Sequence, residues 1–169
     1  NSGEPDYKVR PFWVTLDGKG IMQILDTLDI SGIQQLSWSL DGKHLAFTHS
    51  DENGYSQIYI ANPDGSDFKQ LTDQMADNFQ PDFSPDGQWI VASREADRYA
   101  KVNELILIPL NSSEKMGMIL KLDGYIFTPV WSPVGDWIAF TSEVDGYTAI
   151  YLIRSDGTGL TRVTQSNTD

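Results

Sequence analysis

Cysteine is absent from this chain of 169 residues. Without it the chain can form no disulfide bond, thiolate nucleophile or cysteine-bound zinc site. Histidine is scarce as well: His44 and His49 are the two histidines, and five residues apart on a predicted strand they form a poor metal pair. No Gly-x-Ser-x-Gly segment supplies the nucleophile elbow of a serine hydrolase. We therefore expect no catalytic residue, no cofactor and no metal site in this chain.

Basic residues and long apolar runs are also few. Twelve Lys and Arg stand against 24 Asp and Glu, which leaves a formal net charge of −12. Such a surface repels a phosphate backbone, so we expect no nucleic-acid partner. No stretch approaches the roughly 20 apolar residues of a membrane-spanning helix, so membrane insertion is not expected either. Hydrophobic residues at 40% and aromatic residues at 11% predict a folded globular chain.

Two acidic turns resemble pieces of a calcium-binding loop. They are Asp51-Glu-Asn-Gly54 and Glu143-Val-Asp-Gly146. Neither has the spacing of carboxylates that surrounds a calcium ion with oxygens. Asn or Asp before Gly is favoured in tight hairpins without any ion, so these turns predict hairpins.

What the chain does contain is an internal repeat. It occurs at residues 36–47, 81–92 and 129–140. Each copy has an aromatic residue, a serine, a turn with glycine and then an apolar strand. The three serines, Ser39, Ser84 and Ser132, lie 45 and 48 residues apart. This spacing is close to the period of about 40–50 residues of four-stranded propeller blades.

Each repeat predicts four short strands, named a to d in chain order. Strand a ends at the aromatic residue and is followed by a turn such as Asp41-Gly42. The b–c hairpins contain Asn53-Gly54 or Asp145-Gly146. No segment has the sustained period of 3.6 residues that predicts a helix. We therefore predict an all-β fold, a β-propeller of four-stranded antiparallel blades.

The repeats divide the chain into blades. The predicted segments are an N-terminal linker at 1–10, the c and d strands of a partial blade at 11–25, full blades at 33–72, 78–122 and 125–164, and a tail at 165–169. Closed propellers have about four to eight blades, so three full blades and two outer strands of another predict part of a larger ring. The remainder of its own propeller is therefore one expected partner of this segment.

The repeat resembles that of the TolB-like (Pro-Asp-type, WD-like) β-propellers. Ser84-Pro-Asp-Gly87 matches the turn of that family in full, Ser39-Leu-Asp-Gly42 lacks the proline, and Ser132-Pro-Val-Gly135 lacks the aspartate. The resemblance extends over about residues 11–164. It implies the propeller fold and a periplasmic or otherwise extracytoplasmic location in a bacterium. Such repeats occur in periplasmic TolB, which binds a peptidoglycan-associated lipoprotein, and in the propellers of prolyl-oligopeptidase-like enzymes.

The two faces of a propeller differ in this sequence. Because adjacent strands run in opposite directions, the b–c hairpins and d–a connections share one face, and the a–b and c–d turns share the other. The second face consists of short turns and is expected to offer little recognition surface. The first has longer connections with aromatic residues, which are enriched in interfaces. The predicted partner-binding residues, on b–c hairpins and in d–a loops, are Tyr55, Tyr99, Tyr147, Phe79, Tyr125 and Phe127.

Aromatic residues at fixed repeat positions have a structural interpretation. Trp38, Phe83 and Trp131 share one position, and Tyr59 and Tyr151 share another, so we predict that they pack in the core between blades. The b–c tyrosines also have a structural alternative, in which they lie flat on adjacent hairpins.

We predict a non-catalytic scaffold that binds a protein or peptide. The alternative is the propeller domain of a larger prolyl-oligopeptidase-like serine hydrolase, in which another domain would contain the catalytic residues. A Gly-x-Ser-x-Gly segment further along the reading frame would favour the hydrolase.

Overall fold

The computed structural model describes residues 10–28, 30, 32–97, 102–111, 113 and 115–164. Within these residues every regular element is a β-strand, as the absence of helical periodicity predicts. The strands form one two-stranded and three four-stranded sheets, and in each sheet hydrogen-bonded neighbours are consecutive in the chain. All pairs are antiparallel. The predicted fold class is thus confirmed as a partial β-propeller.

The bounds of the strands are as follows. The two-stranded sheet consists of β1 (Phe12–Val14) and β2 (Ile21–Gln23). Blade 1 consists of β3 (Gln34–Trp38), β4 (Leu45–Ser50), β5 (Ser56–Ala61) and β6 (Lys69–Gln70). Blade 2 consists of β7 (Asp77–Phe83), β8 (Trp89–Asp97), β9 (Val102–Pro109) and β10 (Gly117–Asp123). Blade 3 consists of β11 (Ile126–Trp131), β12 (Trp137–Ser142), β13 (Ala149–Arg154) and β14 (Thr161–Arg162).

The a–b turn is held by the side chains of the Ser-x-Asp-Gly motif. In blade 1 the Ser39 hydroxyl donates to Asp41 Oδ1 at 2.7 Å, and the His44 amide donates to Ser39 Oγ at 2.9 Å. The hydrogen bond from Ser39 lowers the pKa of Asp41 below its ordinary value. Gly42 has a φ of 70°, which residues with a Cβ adopt rarely. These contacts are all local, so the motif alone predicts the hairpin.

Blade 3 lacks the turn carboxylate because Val134 takes its place, and there the Trp137 amide lies 3.2 Å from Ser132 Oγ. Val134→Asn would supply an acceptor for the Ser132 hydroxyl without adding a charge beside Asp136. We expect amide hydrogen exchange across residues 131–140 of the full-length protein to slow by up to about fivefold, or about 1 kcal/mol for one hydrogen bond. Val134→Ala adds no acceptor and should not slow exchange. Equal exchange rates in Val134→Asn and Val134→Ala would show that a hydrogen-bond acceptor at position 134 does not stabilise the turn.

Hydrophobic side chains fill the spaces between blades. Alternate residues of a b strand face opposite neighbours, so Ile90 and Ala92 of β8 pack against blade 1 while Val91 packs against blade 3. Tyr59 and Tyr151 are buried, as is Phe83. Their predicted core positions are therefore confirmed. Trp131 is half-buried and packs against the cluster between blades 2 and 3.

Trp38 is an exception, because 44% of it is exposed. It is the register partner of Leu45 and faces the same side of blade 1, toward the β1–β2 sheet. The residues around β2, such as Ile24 and Leu25, pack against Leu45 and other residues of β4 and β5, and no strand residue of β3 takes part in that cluster. The prediction that Trp38 lies in the core is therefore wrong for the described structure.

The innermost strands are tied to one another through a bulge in each of them. Gln35, Gln80 and Thr128 have φ of 54°, 56° and 46°, and the strand pairing shifts at all three. The Gln80 amide donates to Gln35 Oε1 at 3.0 Å, and the Thr128 amide donates to Gln80 Oε1 at 2.8 Å. Each glutamine side chain thus accepts a hydrogen bond from the bulge of the next blade. These bonds set the spacing of β3, β7 and β11, and therefore of the residues that begin β7 and β11.

Candidate functional site

The connections on the predicted binding face are shorter than expected. Strand β7 begins at Asp77 and β11 at Ile126, so Phe79 and Phe127 lie within strands. Their predicted position in d–a loops is wrong. The reason is the bulge that follows each phenylalanine. Strand a pairs with strand b before the bulge as well as after it, so the strand begins earlier in the chain than predicted. Tyr125 does lie in a connection, two residues long, between β10 and β11.

Three of the six predicted residues surround one cavity at this face. The cavity has a volume of about 230 Å³, and its walls include Phe79, Tyr125 and Phe127. The rings of Tyr125 and Phe127 stack with centroids 5.5 Å apart and an angle of 22° between their planes. We name this cavity the aromatic pocket. It brings together residues of blades 2 and 3 that are more than forty positions apart in the chain.

The polar lining of the aromatic pocket comes mainly from β8 and β9. Glu95 and Asn103 both line it and are register partners in the β8–β9 hairpin. Asn103 is only 5% exposed, and among the described residues its Nδ2 has no hydrogen-bond partner. A buried donor left without a partner costs about 1–3 kcal/mol. Asn103 could not be singled out from the sequence, because a polar residue near a strand start is ordinary.

The Ser93 hydroxyl and the side-chain oxygen of Gln80, which also line the aromatic pocket, are engaged in the fold. The Ser93 hydroxyl is within hydrogen-bond distance of the Phe79 carbonyl at 3.2 Å and of Gln80 Oε1 at 3.3 Å. Gln80 Oε1 also accepts from the next blade, as described above. Within the described residues, Asn103 Nδ2 and the Glu95 carboxylate make no hydrogen bond, so they are groups of the lining that a ligand could engage.

The predicted tyrosines of the b–c hairpins lie elsewhere. Tyr147 contacts the outer strand of blade 3: Arg162 Nη1 donates to its hydroxyl at 3.0 Å, and the Arg162 Cζ lies 4.7 Å from its ring centroid. Tyr147 is thus held against the outer strand of its own blade, while 40% of it stays exposed. Tyr55 is half-buried beside the blade 1 turn, where its amide donates to Asp51 Oδ1 at 2.9 Å. Neither lines the aromatic pocket, and Tyr99 lies outside the described residues.

The opposite face, which contains the a–b and c–d turns, is less flat than its short turns predict. Two cavities of about 430 and 690 Å³ lie there. The larger is lined by Pro85, Trp89 and Trp131, and Leu40 and Val134 at its edge are 79% and 77% exposed. This face therefore has two concave surfaces that the short length of its turns does not predict. In the sequence, this surface is indicated by an apolar residue at the second or third position of the a–b turn.

No three His, Asp or Glu side chains among the described residues are close enough to hold a metal ion together. The described part of the chain also has no helix that is long and apolar enough to cross a membrane.

Comparison with solved structures identifies the fold. The chain has 20% identity and a TM-score of 0.71 to a TolB of Agrobacterium tumefaciens, with 84% of this chain and 54% of that chain aligned. It has 20% identity and a TM-score of 0.72 to TolB of Acinetobacter baumannii, with 90% and 37% aligned. The propeller domain of the Trilobed protease of Pyrococcus furiosus has 18% identity and a TM-score of 0.58, with 80% and 43% aligned. The chain therefore has a TolB-like β-propeller fold and spans about half or less of each of these chains.

Comparison of sequences is less extensive. No model of a known protein family matches the chain. A segment of 86 residues, 49% of this chain, is 31% identical to an uncharacterized peptidase of Bacillus subtilis named YuxL, and covers 12% of that protein.

Proposed function

We propose that this chain is part of a non-catalytic TolB-like propeller that binds a protein or peptide through the aromatic pocket. The observation that carries the proposal is the convergence of Phe79, Tyr125 and Phe127 on one cavity with the buried Asn103 Nδ2, which has no hydrogen-bond partner within the described part of the chain. Aromatic side chains offer large contact area at low entropic cost and are enriched in interfaces. The resemblance to TolB supports a protein partner outside the cytoplasm.

The size and charge of the site limit the partner. At about 30 Å³ per water molecule, a cavity of 230 Å³ has room for roughly seven waters, or one amino-acid side chain. Pockets for drug-sized molecules are typically larger, about 300–1,000 Å³. The formal charge of −12 disfavours an acidic partner. A peptide segment that inserts one non-acidic side chain fits both limits.

A second candidate is the propeller domain of a larger peptidase. It is favoured by the identity with YuxL and by the likeness to the propeller of the Trilobed protease. In that case the aromatic pocket would contact a peptide substrate and another domain would contain the catalytic residues. Hydrolysis of blocked peptides by the full-length protein would favour this candidate, and its absence with binding intact would favour the scaffold.

The binding face can be tested with peptides selected from a phage library of random 12-residue sequences on the full-length protein. We expect Tyr125→Ala and Phe127→Ala each to weaken binding of the selected peptides by about 1–2 kcal/mol, roughly 5–30-fold in Kd. Each substitution removes one aromatic wall of the pocket. Fluorescence polarisation of labelled peptides measures the change. Val134→Ser, at an exposed position of the opposite face, is the control and should leave Kd unchanged. Peptides that lose affinity with Val134→Ser and not with Tyr125→Ala would overturn the proposal.

A further inference from the structure

We propose that Glu95 and Asn103 make the aromatic pocket selective for a carboxamide, so that the bound peptide inserts an Asn or Gln side chain. This inference rests on the proposed function and names the chemistry of its ligand. It starts from two polar groups in one cavity that do not hydrogen-bond to each other.

The two side chains are held at a defined spacing. Glu95 and Asn103 are opposite each other in the β8–β9 pair. The Cβ atoms of such cross-strand partners lie about 4.5–5.5 Å apart, and both side chains point to the same face of the sheet. That face is toward blade 3, since Tyr125 and Phe127 line the same cavity. A ligand group between the stacked rings and the sheet can therefore reach both residues.

The two groups have opposite hydrogen-bonding requirements. Asn103 Nδ2 is a buried donor with no partner among the described residues, so it requires an acceptor from the ligand. An ionised Glu95 side chain is an acceptor only, and it requires a donor. A carboxamide offers an acceptor oxygen and a donor nitrogen on one planar group. Its plane can also lie against the aromatic walls formed by Phe79, Tyr125 and Phe127.

Charged and aliphatic side chains satisfy only part of this arrangement. A carboxylate would meet Asn103 Nδ2 but would be repelled by Glu95 and by the net charge of −12. An ammonium or guanidinium group would meet Glu95 but presents only donors to Asn103. An aliphatic side chain would leave both protein groups without partners. We therefore expect that replacing the carboxamide of the ligand by another of these groups weakens binding more than the loss of one apolar contact would.

The test uses the full-length protein and four blocked tripeptides, acetyl-Gly-Xaa-Gly-amide with Xaa as Gln, Glu, Lys or Leu. Because the backbone amides are the same in all four, differences in Kd report the side chain. We expect the Gln peptide to bind about tenfold more tightly than each of the others in ligand-observed NMR titrations. Asn103→Ala and Glu95→Ala should reduce this preference to about twofold or less. Glu52→Ala, which removes an exposed carboxylate from the b–c hairpin of blade 1, is the matched charge control and should retain the preference.

A purely structural role of Asn103 has a different signature. Because its Nδ2 has no hydrogen bond to lose within the residues that the structure describes, Asn103→Ala should leave the melting temperature of the full-length protein unchanged or raise it while the preference for Gln is lost. A lower melting temperature with the preference intact would overturn the inference. Binding that weakens in Tyr125→Ala but shows no preference for Gln would overturn the inference and leave the proposed function standing. Binding of all four peptides that is insensitive to Tyr125→Ala would overturn both.

Discussion

Arg94→Met is expected to lower the free energy of unfolding of the full-length protein by about 3–5 kcal/mol, because it leaves a buried carboxylate without its partner. Arg94 Nε donates to Glu104 Oε2 at 2.8 Å, and the exposed fractions of the two side chains are 15% and 7%. Lys121 is the other cation near Glu104 among the described residues, at 3.9 Å and on an exposed side chain. It cannot replace the lost hydrogen bonds at that distance.

The same substitution should affect binding. Arg94 and Glu104 are register partners next to Glu95 and Asn103, and they occupy the opposite face of the same hairpin. Arg94 Nη1 also donates to Gln74 Oε1 at 2.7 Å, in the connection from blade 1. Loss of these hydrogen bonds should make β8 and β9 less rigid and lower the affinity of the aromatic pocket for peptides.

Urea unfolding provides the measurement for Arg94→Met. Lys121→Met, which removes the more exposed cation, is the control and should change the free energy of unfolding by less than about 1 kcal/mol. The double variant with Arg94→Met and Glu104→Leu should regain much of the lost stability, since neither charge then remains buried alone. A loss of unfolding free energy in Arg94→Met no larger than that in Lys121→Met would show that Glu104 does not depend on Arg94 as its partner.

Gln57→Leu is expected to lower the free energy of unfolding by about 3–5 kcal/mol, because it removes one side chain that satisfies several buried polar groups. Gln57 is fully buried. Its Oε1 accepts from the Thr72 hydroxyl at 2.6 Å and from Asn78 Nδ2 at 3.0 Å. Its Nε2 donates to the carbonyls of Gln74 and Ala76 at 2.9 and 3.2 Å. Leucine has a similar size and can make none of these bonds.

The effect of Gln57→Leu should be greatest in the connection between blades 1 and 2. Hydrogen exchange of the full-length protein should become faster across residues 71–78, and urea unfolding should give the total change. Gln34→Leu is the matched control, because Gln34 is exposed on β3 and the same substitution there should cost about 0.5 kcal/mol or less. Similar losses in the two variants would mean that the buried hydrogen bonds of Gln57 contribute little.

The hairpins and the blade order could be predicted because their causes are local. The Ser39–Asp41 hydrogen bond and the positive φ of Gly42 join residues within one turn, and the motif repeats three times with small changes. Burial of Tyr59 and Tyr151 was predictable for a related reason, since strand alternation places that position on a covered face. Trp38 occupies an equivalent repeat position to Phe83, yet it is exposed because burial also depends on what the next sheet places opposite it.

The candidate site was predictable only in part. Phe79, Tyr125 and Phe127 belong to connections or strand starts on one face, and antiparallel order is enough to predict that face. Tyr147 shares the face, but Arg162 from the outer strand holds its ring and hydroxyl. No pattern in the sequence indicates that contact, because it depends on how β14 pairs with β13.

The sequence by itself therefore determined the all-β propeller fold and the antiparallel order of its strands, because turn chemistry and strand alternation act over a few residues. Only the tertiary structure decided that Phe79 and Phe127 lie within strands beside a bulge and share a cavity with Tyr125. It also decided that Asn103 Nδ2 is buried opposite Glu95 with no hydrogen-bond partner among the described residues. These features depend on the packing of blade 2 against blade 3, which brings together residues that no local interaction connects.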